Sequence, residues 1–196
     1  MHPIEAESYR ILAERVDLSA WPPLARAVVA RVIHASADVG YADTLVVDEA
    51  ACAAGVAALR AGAPVVADVD MVAVATRRAG TRSLLAEARE RPPEPGLTVS
   101  AAAMRVAAER WPAGAVVVVG NAPTALAEVV ALAAGGRFAP ALVIGLPVGF
   151  VGAAEAKAAL RASGLPAVSN VGERGGSAVA AAALNALWRA SREAAG

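Results

Sequence analysis

The chain has 196 residues, of which 57% are apolar, and its 18 basic and 18 acidic residues give a formal net charge of zero. This length and apolar content predict one folded domain spanning residues 1–196 and exclude intrinsic disorder. The lack of a basic surplus argues against nucleic-acid binding and against an electrostatic membrane patch.

Cysteine and histidine are too scarce for several kinds of site. With Cys52 as its single cysteine the chain cannot form an intrachain disulfide, and His2 and His34 alone offer little to a metal centre. The N-terminal segment is acidic where a secretory signal needs positive charge, and glycines and prolines interrupt the longest uncharged stretch, 138–154. We therefore expect no metal, no membrane span and a cytoplasmic location.

Helical periodicity marks the N-terminal region. Ile4, Ser8, Ile11 and Leu12 recur at helical spacing between charged residues, which predicts a first helix. A second helix opens at Pro22–Pro23, where proline is tolerated in the first turn, and carries an apolar stripe to about residue 36. These two helices are predicted to form an N-terminal extension.

From residue 44 onward, short β-branched runs alternate with alanine-rich helical segments. Strands are predicted over 44–47, 64–69, 116–119, 142–146 and 167–169, and helices over 48–61, 71–77, 100–111, 123–134, 153–162 and 177–192. Asp48 and Ser100 are expected N-caps, 84–86 has no clear assignment, and 91–96 is a loop. The alternation predicts an α/β fold, a three-layer sandwich with a mostly parallel central sheet and helices on both faces.

Three glycine-containing loops follow predicted strands and lead into helices; they cover 120–124, 145–152 and 172–177. Ligands of open α/β sheets bind beyond the carboxyl ends of the strands, and helix N-termini attract anions. With Asn121, Arg174 and Ser177 as polar groups, these loops are candidates for converging on an anionic ligand. The alternative is that their glycines and prolines only form tight turns.

His34 is the first candidate for acid–base chemistry, because imidazole is the side chain that ordinarily titrates near neutral pH. It lies beside an apolar stripe near the end of the second helix, so a structural role is the alternative. Cys52 lies among alanines and is interpreted as a core residue. The chain carries no phosphate-loop, dinucleotide-binding, zinc-protease or serine-hydrolase motif.

Five segments together carry a family resemblance. They are HPIEAESYRIL at 2–12, RVIHAS at 31–36, GNAPTAL at 120–126, GLPVGFVGAAEAK at 145–157 and RGGSAVAAAALNAL at 174–187. In this order, and across nearly the whole chain, they resemble the precorrin-8X methylmutase (precorrin isomerase) family. GNAPTAL and PVGFVGAAE are specific strings, so their joint presence at this separation is the strongest signal in the sequence.

The resemblance implies an isomerase of cobalamin biosynthesis. Its reaction moves a methyl group from C11 to C12 of a precorrin, giving hydrogenobyrinic acid or its cobalt counterpart. The transfer is intramolecular, so no methyl donor or redox cofactor is implied, and the partners are the tetrapyrrole substrate and the corrin product. The family is a homodimer with a substrate site shared between subunits. No residue distinguishes a substrate with cobalt from one without it.

The resemblance also assigns roles to residues. The family's single histidine, thought to donate and accept a proton on the macrocycle, corresponds to His34. Positions that contact the substrate correspond to Ser8, with its neighbour Tyr9, in the first helix and to Arg31, Thr76 and Arg77 further on. The loops supply the remaining expected contacts, namely Asn121, Gly149, Arg174, Gly175, Gly176 and Ser177.

Three positions depart from the residues usual in the family. Ser36 stands where cysteine is usual, Val99 where arginine is usual, and Glu173 adds negative charge just before the RGGS segment. Arg105 is expected to compensate in part for Val99. The departures keep two alternatives open, a non-catalytic corrin-binding or carrier paralogue and an unrelated α/β protein that binds a phosphate ligand.

Overall fold

A six-stranded sheet organises the chain in a computed structural model that describes residues 2–92 and 94–193. The strands are β1 (Leu45–Val47), β2 (Val65–Ala67), β3 (Arg82–Ser83), β4 (Val116–Val119), β5 (Leu142–Gly145) and β6 (Ala167–Asn170). Their order across the sheet is β1-β6-β5-β4-β2-β3. β1 pairs antiparallel with β6 and every other neighbouring pair is parallel, so the predicted mostly parallel sheet is confirmed.

Helices surround the sheet. They are α1 (Pro3–Arg15), α2 (Pro23–Ser36), α3 (Tyr41–Thr44), α4 (Glu49–Arg60), α5 (Asp70–Ala75), α6 (Leu85–Glu90), α7 (Val99–Arg110), α8 (Pro123–Ala134), α9 (Ala153–Ala162) and α10 (Ser177–Glu193). A 3₁₀ turn, Arg77–Ala79, follows α5. The strand–helix alternation predicted from the sequence is therefore present from β1 to α10.

The central strand β4 shows why the fold has three layers. All four of its valines are buried, as the uninterrupted apolar run predicts. Val116 and Val118 belong to the core formed with α2, α4 and α10, whereas Val117 and Val119 belong to the core formed with α6, α7, α8 and α9. Because successive side chains of a strand point to opposite faces, one short run of valines supports both helical layers.

The first two helices differ in their relation to this sandwich. α2 packs against α10 and α4 and supplies Val28, Val29 and Val32 to the core, so it belongs to one helical layer. α1 packs on α2. The sequence predicts that both helices form an N-terminal extension. In the structure only α1 is such an extension, because α2 is part of a helical layer.

Several predicted boundaries are wrong. The N-cap of α7 is Thr98, whose hydroxyl accepts a hydrogen bond from the Ala101 N–H at 3.2 Å, and not Ser100. Residues 84–86 lead into the unpredicted helix α6, and Thr44 ends the short α3 instead of opening a strand. α3 and α6 have four and six residues, too few for hydrophobic periodicity to identify them.

Two local predictions are confirmed. Asp48 caps α4, with its Oδ2 accepting a hydrogen bond from the Ala51 N–H at 3.1 Å. Cys52 is buried in the core, and burial, with the nearby charges of Glu49 and Asp48, raises the pKa of its thiol to about 12. An alkaline pKa keeps the thiol protonated and unreactive at neutral pH, as expected of a packing residue.

Within the described ranges, no helix combines the length and apolarity needed to cross a bilayer. In the same part of the chain, no three His, Cys, Asp or Glu side chains are grouped so that they could hold a metal ion.

Gly55 in α4 allows this helix to approach the sheet closely. A Cβ atom at this position would lie 2.4 Å from Cδ2 of Leu142 in β5. Gly55→Ala is expected to lower the free energy of unfolding by about 1–2 kcal/mol, because overpacking outweighs the gain in helix propensity. Urea denaturation measures this change. Adding Leu142→Val should cost less than the sum of the two single variants, since the shorter side chain makes room, and strict additivity would contradict the contact.

Candidate functional site

His34 lies in the last turn of α2 and is held from two sides by α1. Its Nδ1 atom is 2.8 Å from the hydroxyl oxygen of Ser8. The ring of Tyr9 stacks on the imidazole, with 5.0 Å between ring centroids and 12° between planes. Because Ser8 and Tyr9 are adjacent on α1, docking of this one helix fixes both the position and the orientation of the half-buried imidazole.

Arg31 lies one helical turn before His34 and connects α2 to α1. Its Nη1 is 2.7 Å from Oε1 of Glu5 and 3.4 Å from the hydroxyl of Tyr9. The same Glu5 oxygen is 3.7 Å from Nη2 of Arg189 in α10. Burial acts to raise the pKa of Glu5, but the hydrogen bond from Arg31 and the charges of Arg189 and Arg31 hold it below its usual value. Glu5 is thus an ionised link between two arginines.

A cavity of about 510 Å³ opens beside this network. Tyr9 and Arg31 form part of its wall, α10 contributes Asn185 and Arg189, and the segment after α5 contributes Arg77 and Arg78. Alanines of α2 and α10 supply apolar wall between them. His34 is not itself a wall residue, but it lies directly against Tyr9, which is. Glu5 already pairs with Arg31 and Arg189, and Glu193 also lines the cavity. Four arginines against these two carboxylates still favour an anionic ligand with several carboxylates or phosphates.

The predicted pair Thr76 and Arg77 separates in the structure. Arg77 is exposed and lines the cavity. Thr76 is fully buried, and its hydroxyl donates to the carbonyl of Val72 at 2.7 Å. The expected substrate contact of Thr76 is therefore corrected to a structural role, because its hydroxyl completes the end of α5 and does not face the cavity.

The three glycine loops do converge. The Gly176 N–H donates to the carbonyl of Leu146 at 2.9 Å, and the Gly149 N–H donates to the carbonyl of Glu173 at 3.2 Å, which joins the second and third loops. A Cβ at Gly120 would lie 2.9 Å from Cα of Ser177, so the first and third loops touch. None of the six residues predicted in these loops lines the cavity beside His34. The predicted site residues therefore form two groups within one chain.

Gly175 is a position where only glycine fits. A Cβ there would lie 2.3 Å from the carbonyl oxygen of Leu146 and 2.5 Å from that of Pro147. The obstacle is backbone, which cannot rotate aside as a side chain can. Gly175 thus allows the second and third loops to pack against each other, which supports the tight-turn interpretation for this residue.

Asp68 was not identified from the sequence, although it organises the first loop. It follows β2, is fully buried, and accepts hydrogen bonds from the backbone N–H groups of Gly120, Asn121 and Ala122 at 3.1, 2.8 and 2.7 Å. Burial raises the pKa of Asp68, against the opposing effect of these three bonds. Since Asp68 already binds these three donors, they are not free to bind an external anion.

Lys157, the only lysine of the chain, holds the third loop. Its side chain is fully buried in α9, and its Nζ donates to Oδ1 of Asn170 at 3.0 Å and to the carbonyl of Arg174 at 2.7 Å. Burial, with the charge of Arg161, lowers the pKa of Lys157 to about 8, although Glu173 acts in the opposite direction. The sequence feature that could have drawn attention to Lys157 is that every other basic residue apart from the two histidines is an arginine.

Stability should depend on pH through Lys157. Its pKa of about 8 in the folded protein lies below the ordinary value of 10.5, so the unfolded chain binds more protons between these pH values. The free energy of unfolding is therefore expected to rise as pH increases through this window. Urea titrations of the wild type and Lys157→Met at several pH values measure the difference, in which the titration of Cys52 cancels. The same pH dependence in both proteins would contradict the assignment.

Arg174 is already partly neutralised by its own chain. Its guanidinium forms an ion pair with Asp38 and lies 4.7 Å from the ring centroid of Tyr41. The side chains of Arg174 and Asp38 are 45% and 42% exposed, so solvent weakens their ion pair.

The departures from the family pattern have defined surroundings. Val99 is exposed in the first turn of α7. Arg105 forms ion pairs with Glu128 and Glu94, so its expected compensation for the missing arginine is not supported, because its guanidinium is engaged elsewhere. Ser36 donates to the carbonyl of Val32 at 2.9 Å and belongs to the end of α2.

The fold and the site together define an α/β protein with a small-molecule cavity, in which a fixed histidine adjoins several arginines. Comparison with known proteins identifies the family within this class. The precorrin-8X methylmutase family model matches residues 3–190. A crystal structure of precorrin-8x methyl mutase from Thermus thermophilus superposes with a TM-score of 0.84 at 38% identity, covering 97% of this chain and 96% of that one.

Curated relatives agree with the family match. A precorrin-8X methylmutase of Pseudomonas aeruginosa is 40% identical over 193 residues, which is 94% of this chain and 93% of the relative. A cobalt-precorrin-8 methylmutase of Priestia megaterium is 37% identical over 193 residues, 94% of this chain and 85% of the relative. The chain belongs to the precorrin-8X methylmutase family, and it is accordingly an isomerase of cobalamin biosynthesis.

Proposed function

We propose that the chain moves a methyl group from C11 to C12 of precorrin-8X or its cobalt counterpart, giving hydrogenobyrinic acid or cobyrinic acid. The C11–CH₃ bond breaks as the C12–CH₃ bond forms, so substrate and product have the same composition. The observation that carries the proposal is the position of His34, fixed by Ser8 and Tyr9 beside a cavity lined by arginines.

His34 is the proposed proton donor and acceptor. Methyl migration in a conjugated ring needs electron demand at the receiving carbon, and a proton delivered to the ring supplies it. When Ser8 donates to Nδ1, the neutral imidazole carries its proton on Nε2, away from α1. The proton returns to His34 after the shift, so the reaction needs no cofactor.

The arginines are the proposed binding groups for the peripheral carboxylates of the macrocycle. Arg31, Arg77, Arg78 and Arg189 all line the cavity. Planar guanidinium groups bind carboxylates through paired hydrogen bonds. The apolar wall from α2 and α10 then contacts the flat face of the ring.

The site is proposed to be shared across a homodimer in the cytoplasm. The loop residues Asn121, Gly149 and 174–177 do not line the cavity of their own chain, and in the proposed dimer they complete the cavity of the second chain. Phe150 and Val151 in the second loop are 91% and 88% exposed, which is unusual for large apolar side chains and suits burial against a partner subunit.

The direct test combines the purified protein with precorrin-8X and follows the absorption spectrum. Conversion to the spectrum of hydrogenobyrinic acid is expected, and tight binding of precorrin-8X without conversion would contradict the proposed reaction. The same assay with cobalt-precorrin-8 shows which of the two substrates is preferred.

A second candidate is a corrin carrier without catalytic activity. Val99 stands where the family usually has arginine, and Arg105 is engaged by Glu128 and Glu94. This candidate expects tight binding of hydrogenobyrinic acid and no turnover of precorrin-8X. Restoring the guanidinium with Val99→Arg should then increase turnover. Family membership leaves no support for the unrelated phosphate-binding protein.

A further inference from the structure

A second cavity of about 540 Å³ adjoins the first. It lies at the start of β2, where Pro64 and Val65 form part of its floor, and it includes Arg82 of β3 and Trp111 after α7. Two residues, Arg78 and Trp188, line both cavities. The two spaces are therefore neighbours that share a wall, and Arg82 and Trp111 belong to the second one alone.

The charged residues that line this second cavity are all positive. Its lining includes Arg78 and Arg82 and no acidic residue. Both side chains are exposed, and neither forms an ion pair with a carboxylate in the described part of the chain. By contrast, Arg91 and Arg110 each pair with a glutamate, although the Arg110 guanidinium lies beside this cavity, 5.4 Å from the ring centroid of Trp111. Two uncompensated guanidinium groups at one concave surface attract an anion.

The aromatic walls restrict what that anion can be. The indole rings of Trp111 and Trp188 are half-buried and line the cavity together with the two arginines. Indole faces contact flat conjugated rings well, whereas an inorganic anion gains nothing from them. A conjugated ring that carries carboxylate arms satisfies both kinds of group.

We propose that the second cavity binds the carboxylate-bearing edge of a flat conjugated ring, with Arg78 and Arg82 on the carboxylates and the indoles against the ring. This inference rests on the proposed function, which brings such a ring to the neighbouring cavity. The ring has two possible sources, the overhanging edge of the molecule in the first cavity or a second molecule held beside it. Either source uses the same side chains.

The test uses uroporphyrin, a flat tetrapyrrole with carboxylates on its peripheral arms, titrated by isothermal calorimetry. Arg82→Gln is expected to weaken binding about 3- to 10-fold, because it removes one partly solvated charge-assisted contact. Arg82→Lys should lose less. The matched control is Arg137→Gln, which removes an exposed arginine outside both cavities and should leave affinity unchanged. Arg82 is exposed on the edge strand β3, so the variants retain the fold.

The stoichiometry identifies the source of the ring. One uroporphyrin per chain with weaker binding in Arg82→Gln supports the overhanging edge, and two per chain with loss of the weaker event supports a second molecule. Equal affinity and stoichiometry in wild type and Arg82→Gln, or no uroporphyrin binding to the wild type, overturns the inference. Failure of precorrin-8X turnover with Arg82-dependent binding intact contradicts the proposed function alone.

Discussion

Replacing His34 with alanine is expected to lower kcat for the methyl shift by about 10²- to 10⁴-fold, the usual contribution of a positioned proton donor. The imidazole is half-buried at the end of α2, with its hydrogen bond to Ser8 and its stacking contact with Tyr9 both on α1, so the variant is expected to keep the core intact. KM should change little, because the arginines that bind carboxylates remain. Steady-state turnover of precorrin-8X by the variant measures the effect.

The control for this prediction is Ser8→Ala. It removes the hydrogen bond to Nδ1 but leaves the imidazole stacked on Tyr9, so its loss of kcat should be clearly smaller than that of His34→Ala. Circular dichroism establishes that both variants fold. A His34→Ala enzyme that turns over at the wild-type rate would rule out the proposed proton transfer.

Asp68→Asn is expected to lower the free energy of unfolding by about 2–4 kcal/mol. The carboxylate accepts three backbone N–H groups, and an amide retains one acceptor oxygen while turning an NH₂ group toward a donor. Because Asp68 is fully buried, no water is at hand to replace the lost bonds. Denaturation in urea measures the loss, and hydrogen exchange of the Gly120 and Asn121 amides should accelerate.

Asp43→Asn is the matched control, since Asp43 is an exposed aspartate with no hydrogen bond of its side chain among the described residues. Its effect should stay within about 0.5 kcal/mol, as is usual for surface substitutions. Equal losses from Asp43→Asn and Asp68→Asn would show that the three bonds to the first loop contribute nothing.

Sequence reasoning was most successful where local patterns are long. The run of valines in β4 predicted a strand buried on both faces, and the predicted 123–134 and 153–162 helices coincide with α8 and α9. It failed at β3 and α6, which have two and six residues. A short element has no periodicity of its own, and its conformation depends on the neighbour against which it pairs or packs.

Some residues of the candidate site could likewise be predicted from the sequence, and others could not. His34 with Ser8, Tyr9, Arg31 and Arg77 could be named from residue type and family resemblance, and the structure brings these residues to one cavity or to the imidazole beside it. The burial of Thr76 could not be predicted from the sequence, since it depends on how α5 packs.

The amino-acid sequence by itself determined the α/β class, the parallel sheet and the membership of a family, because these depend on residue type and on spacing along the chain. Only the tertiary structure decided that Asp68 occupies the N–H groups of the first loop, that Lys157 supports the third, and that an arginine-lined second cavity shares a wall with the first. These features join residues distant in sequence, and no local pattern encodes a contact that exists only after the sheet brings strand ends together.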